Sequence, residues 1–588
     1  MMLLALAMTP LLATPAASAE PHAGSAAAAL QSLIERDWAW RMAEYPLFAT
    51  SAGVHTFDDR LGRSDIPTQE RRLRDLHVRS QELAAIPRDG LSRTDQVNAE
   101  VLAEELRTNI SRLERRQYLL TIQGDESFYS SLSLLPRNQP LHDAQEYEKY
   151  ISRLRDIPRF FDEHVALMRE GLKTGKTSPQ VILKGRDTAA RMHAEPKSLH
   201  DSVFWKPFER MPKTIAQADQ RRLAQEGEAA IRDAVIPAYA RLAKFLADEY
   251  IPNSRKTIAD SDLPDGPADY RAQIREYVTK DLTPDELHQL GLREVARIRS
   301  EMEATKKEAG FDGPLAQFLA SLRTDPRFYA RTPEELLMRA AFIAKTIDGT
   351  LPKFFGLLPR LPYGVEPVPA DIAPFYTGGR YVQAAAGSDK AGTYWVNTYD
   401  LKSRPLYVLP SLTLHEAVPG HHLQIALAAE RKELPPFRRF AYFSVTGEGW
   451  GLYSEKLGEE MGIYRTPYER FGRLTYEMWR ACRLVVDTGI HAFGWPREKA
   501  IAFMRENTAL SEHEIETEID RYIGWPGQAL SYKVGELSIL ALRHKAEVAL
   551  GARFDRRKFH DAVLSLGSTP LGVLEEEIDR FITRGREP

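Results

Sequence analysis

The sequence has one cysteine, Cys482, in 588 residues. An intramolecular disulfide is therefore excluded, as is any metal site built from several thiolates. A metal held by this chain is held by histidine and carboxylate. The G-x-S-x-G elbow of the α/β-hydrolases is absent. Neither sign of charge is in excess: 79 Lys+Arg stand against 82 Asp+Glu, a formal net charge of -3. That balance offers no electrostatic ground for a nucleic-acid partner or an anionic membrane surface. There is no internal repeat, no long low-complexity tract and no segment long and apolar enough for a transmembrane helix. Oligomeric state is not written in the sequence.

The N-terminus, "MMLLALAMTPLLATPAASAE", has a short apolar core and small residues ending in Ala-Ser-Ala. It lacks the Lys or Arg that usually opens a leader, yet the pattern predicts a signal peptide over 1–19, cleaved after Ala19, and an exported, periplasmic protein. The remaining length exceeds what one core usually serves. Two interleaved lobes are expected: an N-terminal helical lobe over 20–270 and a catalytic lobe over 271–588.

Most of the chain carries apolar residues at three- and four-residue spacing, as in "QVNAEVLAEELRTNISRLERR", the mark of amphipathic helices. "TPDELHQLGLREVARIRSEMEATKKEAG" opens with a Thr cap and Pro284 and closes at Gly310. Between about 351 and 409 the pattern breaks. A Pro-rich run is followed by "GTYWVNTYDL", whose aromatic and β-branched residues predict a strand. The fold class expected is mainly α, a large two-lobed helical protein with a small β-sheet just before an unusual histidine cluster. "GLKTGKTS" at 171–178 looks like a phosphate loop but has one residue too few between its glycines and follows a helix, so it is set aside.

The cluster is "LTLHEAVPGHHLQ". A zinc-protease helix places its second histidine four residues after the first. Here that position is Pro419, and the histidines arrive at His421 and His422. On a straight helix His422 shares a face with His415 but lies ~10.5 Å along the axis, too far for two bonds of ~2.0–2.1 Å to one zinc. A metal site therefore requires a break, and Pro419-Gly420 supplies one. A third ligand is sought in "VTGEGWGLYSEKLGEE", where Glu448 opens a helical run and Glu455 follows seven residues later on the same face.

H-E-A-V-P-G-H at 415–421, E-G-W-G-L-Y at 448–453 and P-G-Q-A-L-S-Y-K at 526–533 resemble the bacterial family known as domain of unknown function 885. "GTYWVNTYDL" and "YPLFATSAGVHTFDDRL" extend the resemblance over nearly the whole mature chain. The family in turn resembles helical zinc metallopeptidases with a glutamate third ligand. The resemblance implies one zinc held by His415, His421 and Glu448, with His421 favoured over His422, and Glu416 as general base toward a water. It implies Tyr532 as the electrophilic partner of the intermediate, with Lys533 or Gln528 meeting a substrate carboxylate or carbonyl.

Arg483, Asp487 and His491 are spaced by four and, with Arg480, lie in an otherwise apolar helix. They are either a structural ladder, support for a metal ligand, or a site for a peptide's terminal carboxylate. The strand "GTYWVNTYDL" is expected as an exposed edge that pairs with an extended peptide, Asn397 and Tyr399 facing the same side. The function expected is an exported zinc metallopeptidase acting on peptides. The rivals are a zinc amidohydrolase on a non-peptide amide and a non-catalytic peptide-binding protein.

Overall fold

The computed structural model describes residues 23–123, 126–370, 372–387 and 390–587. The expected leader lies outside them. The elements that frame the site are, in chain order, helices α1 (Arg93–Glu114) and α2 (Ala144–Thr174), and between them a short ribbon of β1 (Ile122–Gln123) and β2 (Glu126–Ser127). Then come α3 (Gly266–Val278), α4 (Pro284–Glu308) and the strands β3 (Tyr363–Pro367), β4 (Gly379–Val382) and β5 (Gly392–Val396). The site itself is carried by α5 (Leu409–Glu416), α6 (His421–Glu430), α7 (Ser444–Glu460), α8 (Pro467–His491), α9 (Glu512–Gly524) and α10 (Ser531–Leu550). Among the described residues the protein is mainly helical, and no helix is long and apolar enough to cross a membrane.

Helix limits follow local chemistry. Thr283 caps α4, its hydroxyl accepting from Glu286 N while Glu286 bonds back, and Pro284 occupies the first turn. Thr466, Glu469 and Pro467 repeat the device on α8. The glycine-lysine stretch at 171–178 is the end of α2 and the turn beyond it, with Lys176 buried against Asp269 at 2.6 Å.

Strands β3, β5 and β4 form one sheet in that order, β3 parallel and β4 antiparallel to β5. The "GTYWVNTYDL" strand is thus central, which corrects the expectation of an exposed edge. Its ladder groups are used on both sides, so it cannot take a peptide strand. The free edge on the site's side belongs to β4. The largest apolar core joins Leu61, Ile151 and Tyr239 to Tyr476, Val485 and Ile519, and another joins Leu30 and Leu102 to Phe437 and Val573. Early and late segments therefore share their cores.

Candidate metal centre

Glu416 ends α5 and His421 begins α6, with the break at 417–420. Val418-Pro419 is cis. Gly420 N donates to Leu414 O at 3.0 Å, and a Cβ on Gly420 would collide with the His415 carbonyl, so only glycine lets the chain fold back this closely. Trp450, fully buried, pins the turn by donating to Pro419 O at 2.7 Å. The result brings the His415 and His421 rings to 4.8 Å at an interplanar angle of 86°.

Helix α7 delivers the third group. Glu448 Oε2 lies 3.3 Å from His415 Nε2 and 3.3 Å from His421 Nε2. Donor atoms of His415, His421 and Glu448 all fall within 4.8 Å of one another. Tetrahedral zinc with bonds of ~2.0–2.1 Å separates its ligand atoms by about 3.4 Å, so this donor set fits the ion. Both histidines are buried, and Glu448 is nearly so. Burial alone would push the His415 imidazole down, but its hydrogen bonds to Glu448 and Glu455 win and raise it to about 10. Burial opposes the charged form of Glu448 too, yet the two histidines hold it well below the usual carboxylate range. The pocket is thus tuned to an anionic carboxylate facing a positive charge. His421 Nδ1 is buried and makes no hydrogen bond.

His422 faces elsewhere. Its Nδ1 meets the Tyr381 hydroxyl at 3.1 Å, its ring packs on Tyr363, and burial lowers it to about 4.

Three supporting contacts surround the trio. Glu455 Oε1 accepts from His415 Nδ1 at 2.8 Å, fixing the tautomer that presents Nε2. Tyr442 donates to Glu448 Oε1 at 3.1 Å, leaving Oε2 toward the histidines. The backbone N–H of Tyr381, on the outer edge of β4, donates to Glu416 Oε2 at 2.9 Å, leaving Oε1 toward the cleft. A Cβ on Gly451 would stand 2.6 Å from His415 Cε1, so α7 passes flat against the imidazole.

Tyr532 begins α10, which crosses α7 where Gly449 and Gly535 meet backbone to backbone. Its ring stacks 6.3 Å from the His415 ring. Its oxygen accepts from Arg521 Nη2 at 3.3 Å and Gln528 Nε2 at 3.5 Å. His415, Glu416, His421, Glu448, Tyr442 and Tyr532 line a cleft of about 1050 Å³, whose far wall is made by residues of α1, the β1–β2 ribbon and α3, among them Arg112, Gln123 and Tyr277.

The cleft brings together His415, Glu416, His421, Glu448, Gln528, Tyr532, Arg480 and Arg483. It does not include Lys533, His491, Asn397 or Tyr399, and their expected substrate contacts are corrected here. Lys533 is fully buried among Glu294, Glu477 and Glu536 at 2.6–3.1 Å. His491 accepts from Asp260 N at 3.0 Å and donates to Tyr522 O at 2.9 Å inside the core. Asn397 is buried and donates to the carbonyls of Ala373, Tyr376 and Thr377, while Tyr399 lies beyond the strand and is exposed. The four-residue ladder of α8 splits. Arg483 turns to the cleft, and Asp487 accepts from Tyr270 and Gly527 N in the core. Sequence reasoning passed over Tyr442 and Arg521, because neither stands in a recognisable spacing, and left Glu455 without a role although its seven-residue interval from Glu448 put it on the right face.

Five chains of solved structure match the fold. One, from Colwellia psychrerythraea and described as a "putative lipoprotein", is 29% identical with a TM-score of 0.89, over 95% of this chain and 100% of that one. Another, from Shewanella oneidensis and described in the same terms as of unknown function, is 17% identical with a TM-score of 0.68, over 95% and 99%; it shares the fold. No curated protein matches. The family model described as bacterial protein of unknown function, DUF885, matches residues 46–578, and the chain belongs to that family.

Proposed function

We propose that the protein is an exported zinc metallopeptidase that hydrolyses short peptides in a cleft between two lobes. The observation that carries this reading is the convergence of His415 Nε2, His421 Nε2 and Glu448 Oε2 on one point beside Glu416. A zinc held by His415, His421 and Glu448 would supply Lewis acidity and make a water more acidic, to a pKa of about 7. Glu416 Oε1 takes the water's proton and hands it to the leaving amine, while the β4 N–H keeps Oε2 still. The Tyr532 hydroxyl, whose oxygen already accepts from Arg521 and Gln528, keeps its own proton for the substrate's carbonyl oxygen as negative charge grows on it. The outer edge of β4, with Gly379, Arg380 and Tyr381 in the cleft wall, suits an extended substrate backbone. Tyr442 and Glu455 orient the metal ligands. Export is supported by the N-terminal leader pattern and by the description of both structural neighbours as lipoproteins. The chain's own Cys482 is buried in α8 and offers no point for a lipid.

Elemental analysis of purified protein tests the reading. About one zinc per chain is expected, lost in His421→Ala and kept in His422→Ala. Glu416→Gln is expected to keep zinc and lose peptide turnover by ~10²–10⁴-fold. Protein that takes up no zinc on reconstitution, or turnover unaffected in Glu416→Gln, would sink the mechanism.

A further inference from the structure

Around Tyr532 three guanidinium groups converge in the cleft wall: Arg480, Arg483 and Arg521. Arg483 Cζ lies 4.2 Å from the Tyr532 ring centroid and 4.3 Å from that of Trp479; Arg480 stacks on Trp479 and Tyr476. Arg480 and Arg483 are only 4% and 2% exposed. Cations this deep need counter-charge, and the wall is short of it. Glu518 serves both Arg483, at 2.9 Å, and Arg521, at 3.2 Å. Arg480 is paired with Glu455, at 3.2 Å, whose same oxygen is committed to His415. Glu514, the remaining carboxyl on this wall, makes up only part of the deficit: burial pushes it up to about 7, outweighing the opposing charges of Arg404, Arg480 and Arg483. Donors are left over as well, since Arg480 Nε and Arg483 Nη1 have no hydrogen-bond partner.

We infer that this arginine wall receives the free terminal carboxylate of a peptide, so that the protein removes short fragments from carboxy termini. The inference rests on the peptidase reading above only for the identity of the scissile bond. The location sets the fragment's length. The Tyr532 ring is 6.3 Å from the His415 ring, and Arg483 lies one ring contact beyond. An extended chain advances ~3.3–3.6 Å per residue, so a carboxylate held at the wall lies one or two residues past the bond at the metal centre. Arg483 already gives Nε to Tyr522 and Nη2 to Glu518, so a carboxylate would meet Arg483 Nη1 and Arg480 Nε, each in a charge-assisted hydrogen bond. An internal Asp or Glu side chain offers the same chemistry, and peptides carrying an internal Glu separate the two.

The test uses blocked pentapeptides ending in a free carboxylate, their carboxamides, and carboxamides with an internal Glu. Each is digested by zinc-loaded protein and titrated calorimetrically into zinc-loaded Glu416→Gln. Free acids are expected to lose one or two C-terminal residues and to bind roughly ten- to hundredfold tighter than the carboxamides, the range for hydrogen bonds to a charged group. Arg483→Lys, which keeps the charge and loses the guanidinium donors, is expected to erase that preference, the free acids losing more affinity than the carboxamides. Folding of the variant is checked by its zinc content and melting. Acids and amides cut and bound alike would overturn the inference and leave the peptidase standing. Internal Glu peptides matching the free acids would overturn the terminal assignment. Free acids bound preferentially but never cut would keep the carboxylate site and overturn the peptidase. No binding preference and no cleavage would overturn both.

Discussion

At the residue scale, the site assigns two oxygens of each acid to different tasks. Glu448 gives Oε2 to the histidines and Oε1 to Tyr442; Glu416 gives Oε2 to β4 and keeps Oε1 for the cleft. Tyr532 is similarly divided, its oxygen accepting from two donors while its proton is unclaimed. Tyr532→Phe removes only that proton and its oxygen. If it meets charge that develops in the transition state, kcat is expected to fall on the order of 10²–10³-fold with KM little moved. Steady-state kinetics on a cleavable peptide decide it, and a rise in KM at constant kcat would reassign Tyr532 to ground-state binding. Much of this chemistry was legible in the sequence. His415, Glu416, His421 and Glu448 announce themselves by residue type and interval. Tyr442 and the Tyr381 N–H do not, since a hydroxyl reaching forward six residues and a main-chain donor on a strand edge leave no motif.

At the element scale, the site depends on two devices of close approach. One is the break between α5 and α6, which the Pro419-Gly420 pair foretold, because a continuous helix cannot bring His415 and His421 to one point. The other is the crossing of α7 over α10, which the sequence hides. Gly449 and Gly535 lie far apart in the chain and look like helix-weakening residues until their backbones touch. A methyl on Gly535 would strike the Val445 carbonyl and the Gly449 backbone. Gly535→Ala is therefore expected to cost ~1–3 kcal/mol of stability through overpacking and to push Tyr532 away from His415. Denaturant unfolding measures the first effect and kcat the second; a variant with unchanged midpoint and rate would show that the crossing tolerates a wider gap. Strand order was the plainest misreading. An aromatic, β-branched run says strand, but its alternation does not say whether neighbours lie on one side or both, and β5 has both.

At the scale of the whole molecule, the histidine–carboxylate cluster couples stability to pH. In the folded, metal-free chain His415 titrates at about 10 against an ordinary value of 6.5. A group raised in this way adds stability that is fully present below pH ~6.5 and is lost as pH climbs toward 10. Zinc needs the neutral imidazole, so proton competition weakens over the same window and metal affinity climbs. The melting temperature of chelator-treated protein is expected to fall between pH 6.5 and 10, and its gap below the zinc-loaded protein to widen. A gap that is flat or narrows with pH would mean that His415 does not carry the proton that zinc displaces. The helical class and small sheet were visible from periodicity. The sharing of cores between distant segments was not, since apolar spacing marks which face of a helix is buried and not against which partner.

That sharing has a consequence for how the protein is made. Leu30 and Leu102 share a buried cluster with Phe437 and Val573, and the cleft's far wall, drawn from α1 and the β1–β2 ribbon, faces a candidate site whose last residue in chain order is Tyr532. During synthesis the first helices leave the ribosome with apolar faces whose partners have not yet been translated. Contacts of such long sequence separation form late and slowly. The cleft therefore assembles as one of the last events of folding, because its early wall must wait for partners that are translated late.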